Sequence, residues 1–102
     1  MTEQRWLISI GTPVGQQGGT LRLRRVGAGW VGEAVSGTDT MPVDNIQWDG
    51  DRLRWELRLP PPIGLKVQFD VRVDGDRLAG RARVGLVGSP LSGRLLRRAR
   101  GG

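Results

Sequence analysis

The chain has 102 residues and a formal charge of +6, from 16 basic and 10 acidic side chains, with neither cysteine nor histidine. That length suits one domain around one core, and the missing residue types exclude disulfides, thiolate metal sites, cysteine nucleophiles and a histidine general base. No apolar run approaches the ~20 residues of a membrane span, and the polar start Met1-Thr2-Glu3-Gln4-Arg5 has no signal-peptide pattern, so the expectation is a cytoplasmic protein with no membrane partner.

All but one of the basic residues are arginine, and the run Arg94-Leu95-Leu96-Arg97-Arg98-Ala99-Arg100 carries four of them. Such an excess attracts nucleic acid or other anions, or else reflects codon usage with a solvated surface. The organisation expected is a single barrel domain over 1–98 followed by a basic tail over 99–102.

In chain order, Trp6-Leu7-Ile8-Ser9-Ile10 reads as a first strand, Gly15-Gln16-Gln17-Gly18-Gly19 as a loop, and Thr20-Leu21-Arg22-Leu23-Arg24 as an alternating second strand. Gly27-Ala28-Gly29 turns the chain into a third strand from Trp30 to Ser36. A fourth runs from Thr40 to Trp48, interrupted by Pro42.

The clearest periodicity follows. Arg52-Leu53-Arg54-Trp55-Glu56-Leu57-Arg58-Leu59 alternates charged and apolar residues, and a strand sends those two sets to opposite faces. Leu65 to Val73 repeats the pattern after a turn or loop at Pro60-Pro61-Pro62-Ile63-Gly64, and Asp76 to Val84 returns after Asp74-Gly75. The string Asp-Gly-Asp-Arg-Leu occurs at 49–53 and again at 74–78, which is read as two hairpins solving one turn problem, with a worn duplication as the alternative. Leu91 to Arg97 completes the set as an eighth strand, although its leucines and arginines also suit a short helix.

Eight short strands with connections too short for crossover helices predict an all-β fold of antiparallel neighbours. Pairing the first strand with the last removes both exposed edges, which gives an eight-stranded up-and-down barrel, with a two-sheet sandwich as the competitor. The inward set is then Leu21, Leu23, Leu53, Trp55, Leu57, Leu65, Val67, Phe69, Val71, Leu78, Val84 and Leu95, and Arg22, Arg24, Arg52, Arg54, Arg58, Lys66, Arg72, Arg81 and Arg83 face out. Gly80, Ala82 and Gly93 share the inward face, which leaves either a pocket or space that Trp30, Trp55 or Phe69 fills.

Candidate site residues follow from these faces. Four of the five aromatic residues are tryptophans; Trp6, Trp30 and Trp48 fall near strand ends, where they line a barrel mouth or plug it. Glu33 lies either in the cavity, where burial would raise its pKa and suit it to proton transfer, or on the surface beside an arginine; the second is preferred. Asp39, Asp44, Asn45 and Gln47 could orient a ligand or simply shape turns. Ser9, Ser89 and Ser92 have no evident base, and Gly11-Thr12-Pro13-Val14-Gly15 lacks the Gly-Lys-Ser/Thr ending of a phosphate loop.

The order of a tryptophan-led first strand with Thr12-Pro13, Gly29-Trp30-Val31-Gly32, Asp49-Gly50-Asp51-Arg52-Leu53, Asp74 to Gly80 and Gly93-Arg94 resembles small bacterial calycin-like (lipocalin-like) barrels. These motifs are turn and packing signatures. The resemblance implies a closed barrel with a ligand cavity, and it carries no active-site residue over to a position here.

The leading expectation is binding of a small hydrophobic or aromatic molecule inside the barrel, with Trp30, Trp48, Trp55, Phe69 and Asn45 as ligand-binding residues. An isomerase, cyclase or lyase with Glu33 as catalytic acid or base is the enzymatic alternative. Binding of nucleic acid or an acidic partner through the arginines is the third, disfavoured because Trp55 and Phe69 fall on the inward face. Nothing calls for a metal or cofactor, and a homodimer is left open.

Overall fold

The computed structural model describes residues 3–12, 15–59, 62 and 64–96. Its elements are β1 (Glu3–Thr12), β2 (Gly15–Val26), β3 (Gly29–Ser36), β4 (Asp39–Asp49), β5 (Arg52–Arg58), β6 (Lys66–Asp74), β7 (Arg77–Val84) and β8 (Val87–Leu95). Each strand pairs antiparallel with the next, and β1 pairs with β8 from Trp6↔Leu95 to Ile10↔Leu91, so the sheet closes into an up-and-down barrel. No helix occurs among the described residues, and the closed topology excludes the two-sheet sandwich.

The two-residue period builds the core. Leu53, Trp55 and Leu57 of β5 face the same interior as Phe69 and Val71 of β6, Leu78 and Ala82 of β7, Trp6 and Ile8 of β1, Leu21 and Leu23 of β2, Val43 of β4 and Leu91 of β8, and all of these are buried. Trp55 stacks on Phe69 with ring centroids 4.8 Å apart, so the middle of the barrel is occupied by two rings. The inward glycines leave no gap: a Cβ on Gly93 would lie 2.9 Å from Ile8 Cδ1 and 3.0 Å from Leu78 Cδ1, which fill that space instead.

Several expectations are corrected. Residues 15–19 are not a loop but the first part of β2, paired from Thr12↔Gly15 to Ile8↔Gly19. Gly19 serves close strand approach, since a Cβ there would stand 2.8 Å from the Val35 carbonyl oxygen. The eighth element is a strand rather than a helix and starts at Val87, earlier than its leucine pattern suggests. Leu65 precedes β6 and is exposed, while Val84 and Leu95 are only half-buried, because the barrel rim cuts the alternating pattern short. Both repeated strings place Gly and Asp, not Asp and Gly, at the two loop positions, with Gly50 and Gly75 at φ 64°. Glycine at the first position with positive φ is the type II′ arrangement, which matches the twist of the flanking strands. The tail at 99–102 lies outside the described residues.

Candidate functional site at the open seam of the barrel

β4 divides its partners. Its first half pairs with β3 from Ser36↔Asp39 to Gly32↔Val43, and its second half pairs with β5 from Asp44↔Glu56 to Asp49↔Arg52. Between the halves the register shifts, and Asn45 takes φ 52°, the left-handed conformation that an extra residue in a β-bulge demands. Asp44 and Asn45 therefore both face outward, and Ile46 and Trp48 turn back to the interior side.

This hand-off leaves Gly29, Trp30 and Val31 of β3 and the residues after Val43 of β4 without a ladder between them. The barrel wall thus has a seam at the end where β3 begins and β4 ends. Inside the seam the half-buried rings of Trp30 and Trp48 meet at 5.2 Å between centroids, inclined by 36°. Ile46 lies beneath: a Cβ on Gly32 would stand 3.2 Å from Ile46 Cδ1 and 2.9 Å from Leu23 Cδ2, so glycine makes room for both. The Arg25 guanidinium sits over the Trp30 ring, 5.6 Å from its centroid. At this separation a cation is attracted to the ring face, and it leaves a positive charge at the rim.

The third tryptophan of this end is a plug. Trp6 is buried and donates its indole N–H to Gln4 Oε1 at 3.1 Å, which satisfies the only polar atom of the ring. Trp55 and Phe69 form the central stack described above, away from the seam. Of the expected ligand residues, then, Trp30 and Trp48 meet at the rim, Trp55 and Phe69 meet at the centre, and Asn45 lies on neither surface. Asn45 instead donates from Nδ2 to Glu56 Oε1 at 2.7 Å on the outside of the barrel, and this bond is the main reason that the Glu56 carboxyl is held below its usual pKa.

The open question about β3 resolves by parity. Trp30, Gly32 and Ala34 face inward, and Glu33 faces out with its carboxylate half-exposed, 3.5 Å from Arg22, which also pairs with Glu3 at 3.4 Å. No charged or polar residue is buried among the described residues. Comparison with protein-family models, curated proteins and solved structures returned no match.

Two features of the seam escaped the sequence reading. Arg25 breaks the alternation of β2 as the second of two consecutive arginines, a visible signal that it and Arg24 point to opposite faces. Ile46 changes face because of the bulge, and the consecutive polar pair Asp44-Asn45 was the trace of it.

Proposed function

We propose that the protein binds a small aromatic molecule bearing a negative charge, held at the seam between β3 and β4 against the Trp30 and Trp48 rings. The observation that carries this reading is the ring pair itself: two half-buried tryptophans at a rim position where the β3–β4 ladder has ended, with a guanidinium over one of them. The half of each ring that stays exposed is available to a flat ligand, and the arginine supplies the counter-charge. The likeness to calycin-like barrels, which implies a ligand site within the barrel, supports the same choice. With Trp55 and Phe69 stacked on one another inside the barrel, the rim rings are the aromatic surface within a ligand's reach.

The test is titration with 1-anilinonaphthalene-8-sulfonate, an anionic aromatic probe. Saturable binding at one site is expected. Trp30→Ala and Trp48→Ala should each weaken it about tenfold, which corresponds to ~1.4 kcal/mol. Arg25→Gln should weaken the sulfonate but leave the uncharged N-phenyl-1-naphthylamine unaffected. A signal that never saturates, or the parent's affinity retained in both tryptophan variants, contradicts the proposal.

A further inference from the structure

A second feature lies on the opposite side of the wall. Over the outward faces of β5, β6 and β7 the barrel surface sinks into a trough of about 760 Å³, bordered by Arg52, Arg54, Arg72, Arg81 and Arg83 with the carboxylates Glu56 and Asp70 among them. The curvature has a local cause. A Cβ on Gly80 would overlap the Asp70 carbonyl oxygen and the Val71 Cα, so β6 and β7 approach at this point as only glycine permits, and the sheet coils tightly.

The charges in the trough are only partly compensated. Asp70 is consumed by a two-point bond from Arg52, Nε to Oδ1 at 3.1 Å and Nη2 to Oδ2 at 2.6 Å. Arg72 reaches Asp51 at 3.3 Å, and Arg54 donates to Gln47 at 2.9 Å. Arg81 and Arg83 make neither an ion pair nor a side-chain hydrogen bond among the described residues, although they flank the same row of carboxylates. Arg52 and Arg72 stand directly opposite one another across β5 and β6, a like-charge placement that Asp70 and Asp51 offset.

We infer that this trough binds the phosphate backbone of a nucleic-acid duplex. Guanidinium groups are suited to phosphate oxygens, and two of those here have their donors unspent. The trough presents no aromatic ring to solvent, because Trp55 and Phe69 face the interior, so it lacks the stacking platforms by which single strands are held. Its other apolar lining residues, Trp55, Phe69 and Val71, are buried, so among its described lining residues Ala79 alone exposes an apolar side chain, too small an anchor to fix a peptide. A concave surface does not fit a flat membrane. What remains is a sugar-phosphate ridge, contacted through charge and without reading of base sequence. This inference does not depend on the seam.

The experiment uses the full chain and a fluorescein-labelled duplex of about 20 base pairs, followed by polarisation across a salt series. Binding should weaken steeply with salt and be indifferent to base sequence. Arg81→Gln with Arg83→Gln should weaken it roughly tenfold at low salt and flatten the logarithmic salt slope by about 1.8, since each lost phosphate contact removes about 0.9. Neither side chain makes an ion pair or side-chain hydrogen bond among the described residues, and Arg83 only adds to the positive field at Asp70, so this variant should unfold nearly as the parent does. Asp70→Asn should instead tighten binding, by removing the negative charge and releasing Arg52. Three results overturn the assignment: no retention of duplex at low salt; equal loss when Arg5 and Arg24, outside the trough, are replaced by Gln; or loss confined to replacement of Arg97, Arg98 and Arg100. Equal, trough-dependent affinity for a single strand or for polyglutamate would overturn the choice of a duplex.

Discussion

β7 and β4 each stand between two neighbours in the same closed barrel, and they hold those neighbours in different ways. β7 pairs with β6 from Gln68↔Arg83 to Asp74↔Arg77 and with β8 along its whole length, so one stretch of backbone serves both sides. β4 gives its first half to β3 and its second half to β5. Where a strand is bonded on both sides, side chains are free to be small, and Gly80 and Ala82 sit there. Where the second half of β4 is bonded on the β5 side only, Trp30, Ile46 and Trp48 gather against the core. The fully laddered wall brings strands close at Gly80, and the divided one ends its ladder beside a pair of rings.

The comparison can be broken most severely by one substitution made in both places. Trp55→Ala removes a buried ring together with its stacking partner's contact and should cost about 4 kcal/mol in urea unfolding, whereas Trp48→Ala, whose ring is half-exposed, should cost about half as much. Equal losses would mean that the seam is packed as tightly as the core. Next in size is Gly80→Ala, which forces a methyl group into the backbone of β6 and should cost about 3 kcal/mol. An unchanged midpoint would show that the tight coil of β6 and β7 is not real.

The bulge sharpens the contrast from the other side. Asn45→Ala puts a residue without a compensating side chain into the left-handed region and should cost about 1 kcal/mol, while Asn45→Gly should lie within a few tenths of the parent. If glycine is as damaging as alanine, the bond to Glu56 and not the backbone conformation sets the cost. The smallest effect is that of pH. Hydrogen bonding from Arg52 holds the Asp70 carboxyl below its usual 3.8, so its contribution is complete above that value and is lost as pH falls towards the lower folded one. Acid unfolding below about 3.8 should therefore be less steep in Asp70→Asn than in the parent. Identical acid limbs would show that this exposed pair does not contribute, as is common for surface ion pairs.

How much was legible follows the same division. β5, β6 and β7 could be read directly because their alternation is unbroken from Arg52 to Val84 except at turns. The start of β2 could not, since Gly18 and Gly19 look like a break although they are there to let neighbouring strands approach. β8 was late for a similar reason, its Gly88-Ser89-Pro90 giving no apolar rhythm. The meeting of Trp30 with Trp48 was out of reach, because the two residues are not paired across the ladder and the bulge that turns Trp48 inward reads as turn chemistry. Periodicity assigns faces, so the outward arginines were identified; it does not assign curvature, so the trough they border was not.

The claim on which the rest depends is that the wall opens between β3 and β4, and native-state amide hydrogen exchange measures it most directly. The amides of Gly29 to Val31 and of Asn45 to Gln47 that face the seam should exchange far faster than those of Val71 and Ala82, and should slow when 1-anilinonaphthalene-8-sulfonate is added. Uniform protection around all eight strands, unaltered by the probe, would contradict both the opening and the site assigned to it.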